Sequence, residues 1–148
     1  MKEQMKRSVW ILVGIGAVLI VTVFFFAQDE QKKVTDFVIT HKAELESIAL
    51  NYLGGDETTV KYRGAEVDAV YAGEYPMVQF YYSGSGLAPS TTYYGFYYSS
   101  DDVPAAFQNV EVELTPTASD EWTWDDGTDN GGWTKRIAEH WFYYEAWF

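Results

Sequence analysis

The chain has 148 residues, of which 18% are aromatic, and a formal net charge of −12. Because it contains no cysteine, the sequence excludes disulfides, thiolate nucleophiles and zinc sites built on cysteine. Residues 28–148 carry 21 acidic and 7 basic side chains, a net charge of −14, so we expect no nucleic-acid partner, since phosphate binding draws on clustered Lys and Arg.

An uncharged apolar segment lies near the start of the chain. Residues Val9–Ala27 are 19 residues without a charge, and a helix of that length spans about 28 Å, close to the hydrocarbon thickness of a bilayer. The alternative is a cleaved signal peptide, which would have a shorter apolar core and a small residue where Phe25 stands. We predict an uncleaved transmembrane helix over 9–27, which makes the lipid bilayer a partner of the chain.

The basic residues on either side of this segment predict its orientation. They are Lys2, Lys6 and Arg7 before it and Lys32 and Lys33 after it. Basic residues are enriched on the cytoplasmic side of a span. The bias therefore predicts a single-pass protein of the cell membrane, with residues 1–8 in the cytoplasm and residues 28–148 as an extracytoplasmic domain.

The first part of that domain, from Gln28 to Leu53, predicts an amphipathic helix. It lacks Gly and Pro, and apolar or aromatic residues recur every three or four positions. Gly54 and Gly55 end the pattern. Because no helix breaker intervenes after Gly16, the transmembrane helix is predicted to continue into this helix. The residues of the apolar stripe are Val34, Phe37, Val38, His41, Leu45, Ile48, Ala49 and Tyr52.

The rest of the chain has the composition of β-strands, rich in Val, Thr and aromatic residues and separated by Gly, Ser and Asp. The predicted strands are Thr59–Tyr62, Glu66–Tyr71, Met77–Ser83, Thr92–Ser99, Val110–Thr115, Glu121–Trp124 and Phe142–Trp147. Between them we expect a flexible loop over Ser83–Ser90, a capped turn or short helix at Ser100–Pro104, and a helical turn at Thr134–His140. Short connections favour antiparallel pairing, so the fold class is α+β, with the helix stripe packed on one face of an antiparallel sheet.

Two segments carry a resemblance to known proteins. Residues Tyr94–Pro104 and Trp133–Phe148 resemble a group of small uncharacterised bacterial single-pass membrane-anchored proteins, which implies the anchored architecture and no particular activity. The layout is also similar to that of type IV pilins. That family has a Gly before the apolar segment and a Glu five residues inside it, whereas Val9–Thr22 contains no acid. The pilin likeness is therefore one of architecture and implies no function.

Few residues fit a catalytic site. Of the two histidines, His41 lies on the helix stripe, where packing is its expected role, and His140 adjoins Trp141. The Ser-Gly-Ser-Gly run at 83–86 lacks the frame of a nucleophile elbow. Adjacent acids occur at Asp101–Asp102 and Asp125–Asp126, and they are typical of solvated turns. No motif implies a cofactor, and an enzyme is less favoured than a binding protein.

The acidic segment 125–132 is the best candidate for a metal site. Asp126, Thr128 and Asn130 match the first, third and fifth positions of a calcium loop, but Ile137 occupies the twelfth, where a Glu is required. A turn between two strands explains the same residues, because Asp, Asn and Gly tolerate tight turns.

Aromatic residues supply the strongest remaining signal. Period-two alternation places Tyr94, Phe96 and Tyr98 on one sheet face and Tyr93 and Tyr97 on the other. Because the helix covers only one face, the other is covered by loops or by a partner, or is an exposed patch that binds sugar rings or a peptide. The candidate ligand-binding residues are Trp122, Trp124, Trp133, Trp141 and Tyr143.

These features lead to two functional hypotheses. The first is a membrane-anchored binding or accessory module without catalytic activity, whose partner is an envelope polymer or a membrane protein. The alternative is a membrane-tethered hydrolase that uses carboxylates on a cell-envelope polymer.

Overall fold

The computed structural model describes residues 29–73, 75–87 and 90–148. Contacts divide the chain into two units, Met1–Lys33 and Val34–Phe148, and only residues 29–33 of the first are described. The predicted transmembrane segment Val9–Ala27 lies outside the described residues. In the parts of the chain that are described, no helix has the length and apolar character needed to cross a bilayer.

Residues 29–53 form a helix, α1, where the sequence predicts one. In its first turn, the Lys33 ammonium lies 2.6 Å from the Asp29 carboxylate. At its end Gly55 adopts a left-handed φ of 87°, and its amide donates to the Tyr52 carbonyl at 3.0 Å. The glycine pair therefore ends the helix as predicted, because glycine enters this conformation without a Cβ penalty.

In the part of the chain that the structure describes, eight strands form one antiparallel sheet with the order β1-β2-β3-β4-β8-β7-β6-β5. They are β1 Lys61–Tyr62, β2 Ala65–Tyr71, β3 Met77–Leu87, β4 Ser90–Ser99, β5 Thr115–Ala118, β6 Glu121–Asp125, β7 Gly131–Ala138 and β8 Trp141–Trp147. A short 3₁₀ helix, Phe107–Asn109, lies between β4 and β5. One helix on an antiparallel sheet confirms the α+β fold class.

The first face of the sheet packs against α1. Every residue of the predicted stripe except His41 belongs to this core or packs on it, and the aromatic residues of β4 at 94, 96 and 98 lie opposite. Trp141 and Tyr143 of β8 complete it. His41 is half-buried at its edge, with its ring 5.0 Å from that of Phe37. Burial of this apolar face is the main stabilisation of the helix, since most helical stability in proteins comes from packing of an amphipathic face.

The second face is covered by the chain itself. Residues 100–114, here called the crossover, lead from β4 to β5, and their side chains Ala105, Ala106, Phe107, Val112 and Leu114 pack against this face. The sheet contributes residues from five strands, β2, β3, β4, β6 and β8: Tyr71, Met77, Tyr93, Tyr97, Trp122, Trp124, Phe142, Tyr144 and Ala146. The alternation predicted for β4 is confirmed, and a second aromatic core fills this side.

A cluster of polar contacts fixes the start of the crossover. Arg136 forms an ion pair with Asp102, whose carboxylate also accepts a hydrogen bond of 2.7 Å from the His140 amide. The Tyr97 hydroxyl accepts from the Ala105 amide at 2.8 Å and lies 2.8 Å from Thr134 Oγ1. These contacts tie the crossover to β4, β7 and the β7–β8 turn.

Three local predictions are wrong. Residues 134–138 belong to strand β7 and do not form a helical turn. Trp133 and Ile137 pack on the first core, whereas Thr134 points to the second face and forms a hydrogen bond with the Tyr97 hydroxyl. The segment Val110–Thr115 forms no strand before residue 115, since Val112 and Leu114 pack on the second face without a ladder partner. The Ser83–Ser90 loop is instead the paired end of a hairpin, with Ser83 opposite Tyr94 and Leu87 opposite Ser90.

Candidate ligand-binding pocket

An open pocket of about 510 Å³ lies where the crossover leaves part of the second face uncovered. It is bounded by β2, β3, β4, the end of β8 and the 3₁₀ helix. Five of its lining residues are aromatic: Tyr81, Tyr93, Phe107, Tyr144 and Phe148. Two carboxylates, Glu66 and Asp68, and the amide residue Gln108 also line it. The volume lies within the range of small-molecule sites.

The aromatic rings hold one another in place. Tyr93 stacks on Phe107, with centroids 6.0 Å apart and planes 12° from parallel. The Phe148 ring lies 5.8 Å from Tyr93 and 5.4 Å from Phe107. Tyr144 contacts Phe107 at 5.3 Å. These distances lie in the favourable range for aromatic pairs, so the pocket wall is a packed group of rings.

A β-bulge in β2 sets the orientation of the Asp68 side chain. In the ladder between β2 and β3, Val67 pairs with Phe80 and Ala69 with Gln79, so Asp68 has no partner position. Its Oδ2 accepts hydrogen bonds from Gln79 Nε2 at 2.7 Å and from the Tyr71 hydroxyl at 3.1 Å. Bulges often re-aim a side chain next to a functional site. Asp68 forms no ion pair with any residue that the structure describes.

Gln79 connects Asp68 to the 3₁₀ helix. This side chain is fully buried, and while its Nε2 donates to Asp68, its Oε1 accepts from the Gln108 amide at 2.9 Å. Gln108 has a left-handed backbone with φ 55° and ψ 23°, a conformation that is costly for a residue with a Cβ. The Gln79 bond therefore holds a strained turn and positions the preceding residue, Phe107, over the pocket.

The other carboxylate of the pocket, Glu66, makes an exposed ion pair. It pairs with Lys61 at 2.7 Å, and both side chains are more than half exposed. Exposed ion pairs of this kind contribute little to stability because water and salt screen them. Glu66 and Asp68 are both exposed to solvent, but Asp68 also accepts a hydrogen bond from the buried Gln79 side chain.

The Tyr144 hydroxyl is the most unusual polar group of the pocket. Tyr144 is only 1% exposed, and its Oη forms no hydrogen bond with any described residue. Burial, with a further contribution from nearby Asp68, raises the pKa of Tyr144 well above its ordinary value, so the phenol is neutral. An unpaired buried hydroxyl is unfavourable, which makes this atom a candidate contact for a ligand.

The five residues predicted from the sequence do not form one site. Trp141 and Tyr143 are fully buried in the first core, and Trp124 is 5% exposed in the second. Trp122 packs on the second core and Trp133 on the first, each only partly buried. Ligand binding stays a prediction for all five residues. The indole of Trp133 donates to Glu145 at 2.9 Å.

The predicted calcium loop is a hydrogen-bonded turn. Asp126 Oδ1 accepts from the Thr128 amide at 3.0 Å, and its Oδ2 accepts from Asn130 Nδ2 at 3.0 Å. The hydroxyl of Thr128 and the amide of Asn130 lower the pKa of Asp126. Ile137 lies in β7, and no group of three or more His, Cys, Asp or Glu suited to a metal occurs among the described residues.

Sequence reasoning missed most of the pocket. It placed Tyr93 on the sheet face opposite Tyr94, and the alternation of Glu66 and Asp68 in a predicted strand was a usable signal that both acids share a face. Nothing in the sequence pattern indicated that Phe107 and Gln108 lie beside them. The histidines are elsewhere, with His140 Nδ1 2.9 Å from the Ser99 carbonyl.

No protein-family model, curated protein or solved structure matches this chain.

Proposed function

We propose that this chain is a membrane-anchored extracytoplasmic binding module without catalytic activity, and that its ligand occupies the pocket on the second face. The apolar segment Val9–Ala27 supports the anchor, and the basic residues before it support the orientation. The partner is an envelope polymer or a membrane protein of the envelope.

The observation that carries the proposal is the combination of rings, carboxylates and one unpaired buried hydroxyl in a pocket of about 510 Å³. Small-molecule sites are mostly apolar, with a few polar groups that fix orientation. The rings are held by one another and by the Gln79 bond. Such a preformed wall loses little conformational entropy when a ligand binds.

A carboxylate-dependent hydrolase is the second candidate, favoured by the presence of Glu66 and Asp68 in the same pocket. A glycoside hydrolase places its two carboxyl groups on either side of the bond to be cleaved. Here both acids come from one strand, two residues apart, and form one wall. Glu66 is paired with Lys61, and Asp68 accepts bonds from Gln79 and Tyr71. This arrangement suits binding better than proton delivery.

The test is a pull-down with the full chain in nanodiscs, using envelope polymers and membrane-protein extracts. Tyr93→Ala removes a wall of the pocket and should abolish retention of the ligand. Trp147→Ala is the control and should retain it, because this exposed aromatic ends β8 next to Phe148 but alternates to the opposite face of the sheet. If Tyr93→Ala retains as much ligand as the wild type, the proposed site is refuted. If the wild type releases cleaved polymer and Asp68→Asn does not, the protein is a hydrolase instead.

Anchor and orientation are tested separately in cells. We expect the full chain to sediment with membranes and to resist extraction by high salt. Protease added to spheroplasts should digest residues 28–148 while a tag before Met1 stays protected. A soluble chain, or a protected C-terminal domain, would contradict this part of the proposal.

A further inference from the structure

We propose that the pocket binds a primary alkylammonium group, with Asp68 as its counter-ion, the Tyr144 hydroxyl oxygen as a hydrogen-bond acceptor and the aromatic rings around its methylenes. This inference rests on the proposed function and names the chemical class of the ligand.

The charges of the residues that line the pocket favour a cationic ligand. None of the residues that line the pocket is basic, and Asp68 has hydrogen-bond donors around it but no ion pair within the described chain. The faces of aromatic rings carry negative electrostatic potential and attract cations. An anionic ligand would be repelled by both carboxylates, and residues 28–148 as a whole carry a net charge of −14.

The Tyr144 hydroxyl narrows the cation to one with N–H donors. Its oxygen is buried beside the pocket without a partner and has less than 1 Å² of accessible surface, so a ligand reaches it only when a neighbouring side chain of the pocket shifts. A primary ammonium then offers three donors for Asp68 and for this oxygen. A quaternary ammonium offers none and would leave the hydroxyl unpaired. A neutral sugar would supply donors but would leave the charge of Asp68 uncompensated.

Two sources could supply such a group. One is a free aliphatic amine, and the other is a lysine-type side chain within a peptide. A free amino acid fits less well, because its own carboxylate would approach Glu66. The same pocket chemistry serves both sources, so the experiment includes a probe for each.

The experiment is calorimetry on the full chain in micelles of an uncharged, amine-free detergent and phosphate buffer, so that neither the micelle nor the buffer supplies an amine or a competing anionic lipid surface. The probes are 1,5-diaminopentane for free amines and Nα-acetyl-lysine amide for a peptide side chain. The neutral 1-pentanol and the quaternary tetramethylammonium are the comparisons. We expect at least one amine to bind about 10-fold or more tightly than either comparison, as expected for a charge-assisted hydrogen bond, and the tighter amine identifies the source.

Two variants test the assigned atoms. Asp68→Asn keeps the shape of the side chain and removes its charge, so amine affinity should fall about 10-fold or more. Tyr144→Phe should weaken the amine about 5-fold and at the same time raise the melting temperature of the free protein, because it removes an unpaired buried hydroxyl. The matched control is Tyr97→Phe, whose hydroxyl is fully hydrogen-bonded outside the pocket. It should lower the melting temperature and leave amine affinity unchanged.

The outcomes separate this inference from the proposed function. Tetramethylammonium or pentanol binding as tightly as the amines would overturn the ammonium assignment, as would unchanged affinity in Asp68→Asn. If an envelope ligand is retained by the wild type and lost in Tyr93→Ala while no amine binds, the inference fails and the proposed function stands. If neither amine nor envelope ligand binds, both fail.

Discussion

At the scale of single residues, Gln79 links the sheet to the wall of the pocket. It is fully buried, and its amide uses Nε2 for Asp68 and Oε1 for the Gln108 backbone. No apolar side chain of similar volume can replace both bonds. One residue thus determines where a carboxylate points and where the Phe107 ring lies.

The change Gln79→Met tests this role. It leaves the Gln108 amide and one Asp68 oxygen without their buried partner, so we expect the free energy of unfolding to fall by about 2 kcal/mol. Urea denaturation measures the loss. The control Thr117→Val, which removes an exposed bond of 3.4 Å to the Glu121 carbonyl, should cost about 0.5 kcal/mol. Equal losses in the two variants would contradict the bridging role.

Asp102 gives a prediction for acid stability. Burial raises the pKa of this carboxyl, but the His140 amide and the Arg136 ion pair outweigh it and hold the pKa below its ordinary value of 3.8. Because the pKa of Asp102 is lower in the folded than in the unfolded state, its carboxylate stabilises the fold above pH 3.8. This stabilisation is lost as the pH falls through the pKa of the folded state. The stability advantage of wild type over Asp102→Asn should therefore shrink below about pH 4. Melting temperatures between pH 3 and 7 measure it, and a pH-independent difference would contradict the assignment.

At the scale of secondary-structure elements, strands β4 and β8 pack unusually closely at Gly95. An added Cβ there would overlap the Phe80 carbonyl oxygen and lie 2.6 Å from Tyr144 Oη. Tyr144 therefore reaches its position beside the pocket only because residue 95 has no side chain.

We expect Gly95→Ala to destabilise the domain by about 3 kcal/mol, the upper part of the range for overpacking. The double variant Gly95→Ala with Tyr144→Phe relieves only the contact with the hydroxyl, so compared with Tyr144→Phe alone it should still lose most of these roughly 3 kcal/mol. Chemical denaturation of the two variants measures both effects. Full recovery in the double variant would show that the backbone overlap with Phe80 is unimportant.

The helix and most of the strands could be predicted from the sequence because their signals are local. The stripe from Val34 to Tyr52 repeats with the helix period, and the alternation in β4 separates Tyr94 from Tyr93. The crossover could not be predicted in this way. Val112 and Leu114 alternate as in a strand but pack on the second face, and only the sheet order explains why.

The pocket depends on that same nonlocal arrangement. Asp68 was recognisable as an acid on one face of a strand, yet its partner Gln79 comes from the next strand and Gln108 from the crossover. Period-two alternation predicted that both faces of the sheet carry aromatic rings, but it did not predict which of those rings are buried. Trp141 has no exposed surface because it lies in the core beneath α1. Tyr93 lines the pocket because the crossover covers only part of its face.

At the scale of the whole molecule, the net charge of −14 on residues 28–148 should make stability depend on salt. Like charges on a compact domain repel one another, and salt screens that repulsion. Raising NaCl from 20 to 200 mM should increase the melting temperature by about 3 °C, measured in an uncharged detergent. KCl should have the same effect, since screening is not ion-specific. An unchanged or lower melting temperature would show that local ion pairs outweigh the overall repulsion.

Strand β8 lies in the middle of the sheet, between β4 and β7, although it follows every other strand in the sequence. Until residues 141–147 have been synthesised, β1–β4 and β5–β7 are two separate groups, and the edges of β4 and β7 expose unpaired backbone. Such edges are sites of aggregation and proteolysis. Pairs such as Thr92 with Trp147 are also far apart in the chain, and distant pairs form slowly. The domain therefore passes through a vulnerable interval during synthesis that ends only when its last strand joins the two halves.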